Sequence, residues 1–393
     1  MMRKFCLLLL IGLLAASFTF AEEYISAQEA KTRYLISFQT SIDYSLIHTL
    51  EGEIVREYQD MPVVLVEISE SNASKLNDYS QIQFYEPDLK IKGAPEIEAL
   101  FESSIGPEGI APLSQSAQEI PWGIEKVNAL KVQEKGFTGK SIKIGIIDSG
   151  IDYKHDDLLV CGGISFVDGN PDYLDDNGHG TSVAGIIGAR NNNIGVIGIA
   201  PESELYAIKV LDSNANGNIS DVVSGIEWSI KNNMNIVNLS LETTTDSKTL
   251  KKVVKEAYKK GLLLVSAAGN YGFNEGDTIA YPAAYKEVIA VGAINSRNER
   301  TFYSASGKDL ELMAPGASIF TTSLNNQYAM NLGTSMASSH VAGVAALIWQ
   351  AHPQLENKDI RKILDRTATE MGEKRLYGYG LVDAWKAFDD IMK

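Results

Sequence analysis

Cysteine is nearly missing from this chain: there are two in 393 residues, Cys6 and Cys161. Cys6 lies inside an apolar leader, so Cys161 is left alone and an internal disulfide is excluded. Set in Leu158-Leu159-Val160-Cys161-Gly162-Gly163, it is expected to be a small core residue. Positive charge is also scarce: 35 Lys and Arg stand against 50 Asp and Glu, giving a net charge of −15. Such a surface argues against nucleic acid or an anionic membrane as the partner. Charged residues make up only 22% and apolar residues 45%, which excludes a disordered chain and provides for a sizeable core.

Long apolar runs are absent after the first twenty residues. Arg3 and Lys4 precede the apolar stretch Phe5–Phe20, and Thr19-Phe20-Ala21 has the small-x-small form of a cleavage site. Residues 1–21 are therefore expected to be a signal peptide, with no membrane span once it is removed and an exported product: extracellular, periplasmic or at the cell surface.

Residues 33–92 are expected to form a small α+β unit. Tyr34–Phe38, Val63–Ile68 and Ile82–Ile91 have strand character, and Ser71–Asp78 reads as a helix with Ser71 as its N-cap. Residues 93–117, rich in Gly, Pro, Ser and acids, read as a linker. From residue 118 to 393 near-continuous apolar strands (Ile142–Asp148, Leu205–Leu211, Ile236–Leu241, Leu262–Ala267, Val288–Ala293) alternate with helical stretches near 182–190, 220–232, 246–260 and 335–350. That pattern predicts an α/β fold, a doubly wound, mostly parallel sheet covered on both faces. Ligands then bind at the carboxyl ends of the strands.

The residues with chemistry follow such strands. Asp148 ends Ile144-Gly145-Ile146-Ile147-Asp148, and Asn270 follows Ser266-Ala267-Ala268-Gly269. His179, one of five histidines, sits between two glycines, and Ser335 opens a long small-residue helix. A helix start offers free N–H groups and a positive dipole end, which suits a nucleophile forming an oxyanion. Each residue alone has a plain structural reading as a turn, cap or core residue.

Together, Ile147-Asp148-Ser149-Gly150-Ile151-Asp152, His179-Gly180-Thr181-Ser182-Val183-Ala184-Gly185 and Gly333-Thr334-Ser335-Met336-Ala337-Ser338-Ser339-His340-Val341-Ala342-Gly343 resemble the motifs of subtilisin-like serine proteases, over residues 118–393. The resemblance implies a three-layer sheet fold and a serine endopeptidase with an Asp148–His179–Ser335 triad. Asn270 and the Ser335 N–H would form the oxyanion hole. Protein and peptide substrates would add as a strand between Ser240-Leu241-Glu242 and Asn216-Gly217-Asn218-Ile219. Ala280 would floor the first specificity pocket and favour large uncharged residues before the cleaved bond. Leu241 and Ile219 would line a second apolar pocket. The resemblance also implies structural Ca²⁺ held by the side chains of Gln118, Asp157 and Asn192 and the carbonyls of Arg190, Ile194 and Val196. Residues 33–92 resemble the propeptide that inhibits and chaperones such enzymes, and the active form is expected to be a monomer. Processing has equally arguable candidates at Ser116-Ala117, near Lys92 and near Phe101. Ser182, Ser339 and Glu242 stand where the family commonly has His, Pro and Gly. Glu242 would narrow the cleft or select basic residues. A catalytically silent scaffold and an esterase are the competing readings; the intact triad disfavours the first and the missing Gly-x-Ser-x-Gly elbow the second.

Overall fold

A computed structural model describes residues 29–93 and 118–393. The leader and most of the linker expectation, with the alternative junctions Ser116-Ala117 and Phe101, lie outside these residues. Among the described residues no helix is long and apolar enough to cross a membrane.

The chain divides into two compact units. The first comprises residues 29–57 and 62–87. Its strands β1 (Lys31–Phe38), β2 (Glu53–Glu57), β3 (Val63–Ser69) and β4 (Ile82–Pro87) form an antiparallel sheet in the order β2-β3-β1-β4. One sheet face supplies Ile36, Phe38, Val64, Val66 and Ile68 to a core closed by Leu46 and Ile47 of helix α1 (Tyr44–Thr49) and by Ala73 of helix α2 (Glu70–Ser74). Two details differ from expectation. The N-cap of α2 is Ser69, whose hydroxyl accepts the Asn72 N–H at 3.3 Å, because the strand runs directly into the helix. The stretch 82–91 is not one strand: it breaks at Asp88 and Leu89, and Lys90–Gly93 forms β5, which belongs to the second unit.

In the second unit, β6 (Lys143–Asp148), β7 (Val160–Ser165), β8 (Glu204–Lys209), β10 (Ile236–Leu239), β12 (Leu263–Ala267), β13 (Val288–Ile294) and β14 (Leu312–Pro315) form a seven-stranded sheet. Every pairing in it is parallel, in the order β14-β13-β12-β10-β6-β8-β7. Ile144, Ile146, Val265, Ile289 and Val291 form one core with helices α3 (His179–Gly188) and, later in the chain, Thr334–Ala351. Helix α4 (Ile219–Lys231) takes the other face: a Cβ added at Gly225 would lie 2.9–3.3 Å from Ile208, Ile147 and Val210. Helix α5 (Lys248–Lys259), capped by Ser247, is amphipathic, with Leu250, Val253, Val254 and Ala257 turned inward. Helix α6 (Thr334–Ala351) is buried from Thr334 through Trp349, which its Ala, Gly and Ser content permits, and so it runs through the middle of the unit.

This is the expected doubly wound α/β architecture. The edge strands β7 and β14 escaped the sequence reading: β7 carries Gly162 and Gly163, which weaken strand character, and β14 is only four residues long. The hairpin of β15 (Ile319–Ser323) and β16 (Gln327–Asn331) escaped it as well, since both strands are short and partly exposed. Cys161 corrects the core expectation: it lies on edge strand β7 and is exposed. Strand order reverses between β6 and β10, so the crevice lies at their carboxyl ends.

Candidate active site

Asp148 is the last residue of β6 and is fully buried. Its carboxylate accepts the Ser149 N–H at 2.7 Å, and its two oxygens lie 2.8 and 2.9 Å from His179 Nδ1. A buried carboxylate is costly unless it is paired and hydrogen-bonded, and here both conditions hold. His179 can approach this closely because its neighbour is glycine. A Cβ at Gly180 would fall 2.0 Å from the Gly150 carbonyl oxygen and 3.2 Å from Asp148 Cβ.

Two residues that the sequence reading missed fix this corner. Asp175 accepts from Ser149 Oγ (2.9 Å) and from the N–H groups of Asn177 (3.0 Å), Gly178 (2.9 Å) and Thr181 (2.9 Å), tying the start of α3 to the turn after β6. Lys209, wholly buried at the end of β8, donates to the carbonyls of Ser149 (2.5 Å) and Leu211 (3.0 Å) and to Asp176 (2.6 Å). An acid a few residues before Asn177-Gly178 could have signalled a helix cap; nothing local marks Lys209 as turned inward.

Ser335 is the second residue of α6 and follows Gly333 at φ +133°. It is buried, and its Oγ has no hydrogen-bond partner; the same holds for Asn270 Nδ2. Unpartnered buried donors are rare and mark places where a group has been left for another purpose. Asn270 is held by its other end, since its Oδ1 accepts both the N–H and the hydroxyl of Thr334 at 3.1 Å. A methyl group at Gly333 would have Asn270 Nδ2 at 3.7 Å and the Ser335 nitrogen at 3.8 Å. Two donors therefore converge beside the serine, the arrangement an oxyanion requires. Ser240 packs on the same helix start, its Oγ 3.4 Å from the Ser335 carbonyl oxygen.

The expected substrate-flanking segments also come together. Strand β5 lies between β9 (Asn216–Asn218) and β11 (Leu241–Glu242), antiparallel to both. Ile91 pairs with Gly217, Lys92 with Glu242 and Gly93 with Leu241. Ile91, Ile219 and Leu241 are all buried. Asp88 accepts the N–H of Ser220 at 2.9 Å, capping α4 just beyond β9. Ser182, in place of the common histidine, donates to the Gly178 and Thr322 carbonyls at 3.0 Å. Ser339 donates to the Ser335 carbonyl at 2.8 Å, so neither serine leaves an unmet group.

The expected cation ligands cluster beside α3. Gln118 donates its amide to the carbonyls of Arg190 (2.5 Å) and Val196 (3.0 Å). Asn192 Oδ1 accepts the Ile194 N–H at 3.2 Å. Asp157 Oδ2 accepts the Val196 N–H at 2.9 Å, while its buried Oδ1 has no partner. Burial pushes the Asp157 carboxyl up to about 6. Among the described residues no three His, Cys, Asp or Glu side chains group as a metal site; this is a carbonyl-based set with a single acid. Gln118 presents nitrogen where oxygen was expected, and a half-turn of its amide exchanges the two.

Residues 139–380 match the Subtilase family. The chain belongs to that family. This subtilase is 39% identical to the thermostable alkaline protease of Halalkalibacterium halodurans over 92% of its own length and 93% of the relative's. It is 39% identical to the M-protease of Shouchella clausii over 91% and 92%, and 48% identical to subtilisin E of Bacillus subtilis over 69% and 72%. It is a serine endopeptidase.

The helix that carries Ser335 also carries a wholly buried histidine. His340 Nδ1 donates to the Met336 carbonyl at 2.8 Å, Nε2 has no partner, and burial pushes its pKa down to about 4. An unfolded histidine titrates near 6.5. The folded state therefore binds fewer protons between these values, and the contribution is complete above pH 6.5 and lost as pH falls towards 4. Unfolding free energy is expected to drop by about 3 kcal/mol over that window, one proton's worth. His340→Asn should flatten the slope by about one proton; an unchanged slope would refute the assignment.

Proposed function

We propose that this subtilase is an exported endopeptidase made as a self-processing zymogen. Ser335 Oγ attacks the scissile carbonyl, and His179 takes the serine proton. Histidine then passes that proton to the leaving amine, and water repeats the cycle on the acyl-enzyme. Asp148 fixes the tautomer with the proton on Nδ1 and stabilises the imidazolium. Asn270 Nδ2 and the Ser335 N–H hold the oxyanion. The observation that carries this reading is the pair of buried, unpartnered groups, Ser335 Oγ and Asn270 Nδ2, in a fold that also ties His179 to a buried carboxylate. A silent scaffold has no need to keep either group unsatisfied.

Residues 33–92 serve as the propeptide, the pairing of β5 between β9 and β11 being the support for a product-like inhibitory strand. The leader supports export, and the active form is read as a monomer. Ala280, buried beside Gly269, supports a pocket for a large side chain before the scissile bond. The expectation that this side chain is uncharged rests on Ala280 alone and leaves Glu242 out. Leu241 and Ile219 serve the second apolar pocket.

Ca²⁺ fits the Gln118, Asp157, Arg190, Asn192, Ile194 and Val196 set. The buried Asp157 Oδ1 has no hydrogen-bond partner and suits a cation, and the remaining groups are the hard oxygen donors calcium takes. Bound there, it would tie the N-terminal segment to the loop after α3 and supply no chemistry to the reaction.

Intact-mass analysis of wild type beside Ser335→Ala tests the central reading. Wild type should lose its N-terminal segment while the variant keeps it; equal masses, with casein untouched by both, would remove it. Excess EGTA should lower Tm, and an unmoved Tm would eliminate the calcium assignment.

A further inference from the structure

Strand β5 lies between β9 and β11 as an added substrate strand would, and its contacts do not stop at the first paired residue. Lys90 pairs with Asn218 where β5 begins. Just before it, the Leu89 carbonyl accepts the Ile219 N–H at 2.8 Å. Asp88 accepts the N–H and the hydroxyl of Ser220, at 2.9 and 2.7 Å. The strand is thus held from Asp88 to Gly93, along β9 and the first turn of α4.

Asn218 is the N-cap of α4, yet its side chain makes no cap hydrogen bond. An asparagine in that place ordinarily turns its oxygen back to the N–H of the second or third helical residue. Here Asp88 of the docked strand takes the Ser220 N–H, and the Asn218 amide is turned the other way. Its Nδ2 donates at 2.9 Å to the carboxylate of Asp221, which is buried in the first turn of the helix. The amide oxygen is left to face Lys90, whose Nζ donates to it at 2.7 Å. Turning the amide to meet an anion would set that oxygen against the Asp221 carboxylate, so the arrangement suits a cation.

The register counts the position. Gly93 opposes Leu241, so in a strand added the same way the next residue opposes Ser240, whose Oγ touches the Ser335 carbonyl. That next residue carries the bond presented to Ser335, and the position of Lys90 is the fifth before the bond. We propose, resting on the endopeptidase reading above, that Asn218 and Asp221 form a subsite that selects Lys or Arg five residues before the cleaved bond. The subsite is remote from the reacting atoms and meets the same side chain in ground and transition states, so the preference falls on KM and leaves kcat in place. The contact is exposed, which keeps the gain modest, about five-fold, the upper end for a charged pair at a surface.

The test is a set of chromogenic peptide amides with one common residue before the cleaved bond. Ahead of it stands Asp-Leu-X-Ile-Lys-Gly, the order of residues 88–93, with Lys, Arg, Ala or Glu at X. The leading aspartate keeps the Ser220 N–H supplied. The amides are cleaved by protein produced from the full chain, wild type, Asn218→Ala and Asn218→Asp. The quantity read is the kcat/KM ratio of Lys or Arg to Ala within each protein, which cancels any difference in active fraction. The expected wild-type ratio is about five, carried by KM, with Glu the poorest residue at X. It should fall to near unity in Asn218→Ala and rise in Asn218→Asp, which puts a carboxylate where the amide oxygen stood. Aspartate can still cap α4, so the test stands even where the alanine variant fails to fold. Equal ratios in wild type and Asn218→Ala would overturn the proposal. So would a ratio in Asn218→Asp no higher than in wild type, or a wild type that prefers Ala or Glu. Reaction of Ser335 with a sulfonyl fluoride separates these failures from a failure of the enzyme reading: unlabelled protein that cuts no peptide removes both.

Discussion

A carboxylate with no access to water sits at the end of the central strand, and much of this site is arranged around that fact. Asp148 is fully buried, its carboxylate held between the Ser149 N–H and the His179 ring. Removing either partner would leave a buried anion uncompensated, a large penalty in a low-dielectric interior. The surroundings are built to hold those partners in place. Asp175 fastens the start of α3 to Ser149, Lys209 holds the Ser149 carbonyl from the next strand, and Gly180 lets the helix close on the turn.

The second half of the site depends on another buried element, the start of α6. Thr334 grips the oxygen end of the Asn270 amide, which turns the nitrogen end towards Ser335. The helix has few large side chains in its first turns, so it can enter the sheet crevice and bring the Ser335 N–H to the same point. Asp148 ends β6, beside the reversal of strand order between β6 and β10, where a parallel sheet leaves space between diverging connections.

Much of this was legible in the sequence, for physical reasons. Parallel strands buried on both faces must be near-continuously apolar, so Ile144–Ile147 and Leu263–Val265 announce themselves. Asp148, His179 and Ser335 stood out as candidates because of the glycines and small residues around them, which close backbone approach requires at Gly180. Other parts were hidden. Lys209 looks like any strand-terminal lysine until the fold turns it inward, and Asp175 looks like one of several loop acids. β7 carries Gly162 and Gly163, which weaken strand character, and its edge position exposes Cys161. Glu242 was visible as a departure, but only the fold shows that its carboxylate turns to Asn270 and lies near Ala280.

The central claim is that Asp148 acts by holding His179 in one tautomer. It is tested most directly by Asp148→Asn, with kcat measured on a peptide amide and secondary structure followed by circular dichroism. Asparagine preserves the shape and can still accept the Ser149 N–H, but it offers His179 Nδ1 a weaker or reversed hydrogen bond. The account predicts a folded protein with kcat reduced about 10⁴-fold. A folded variant that turns over within a few-fold of wild type would contradict it.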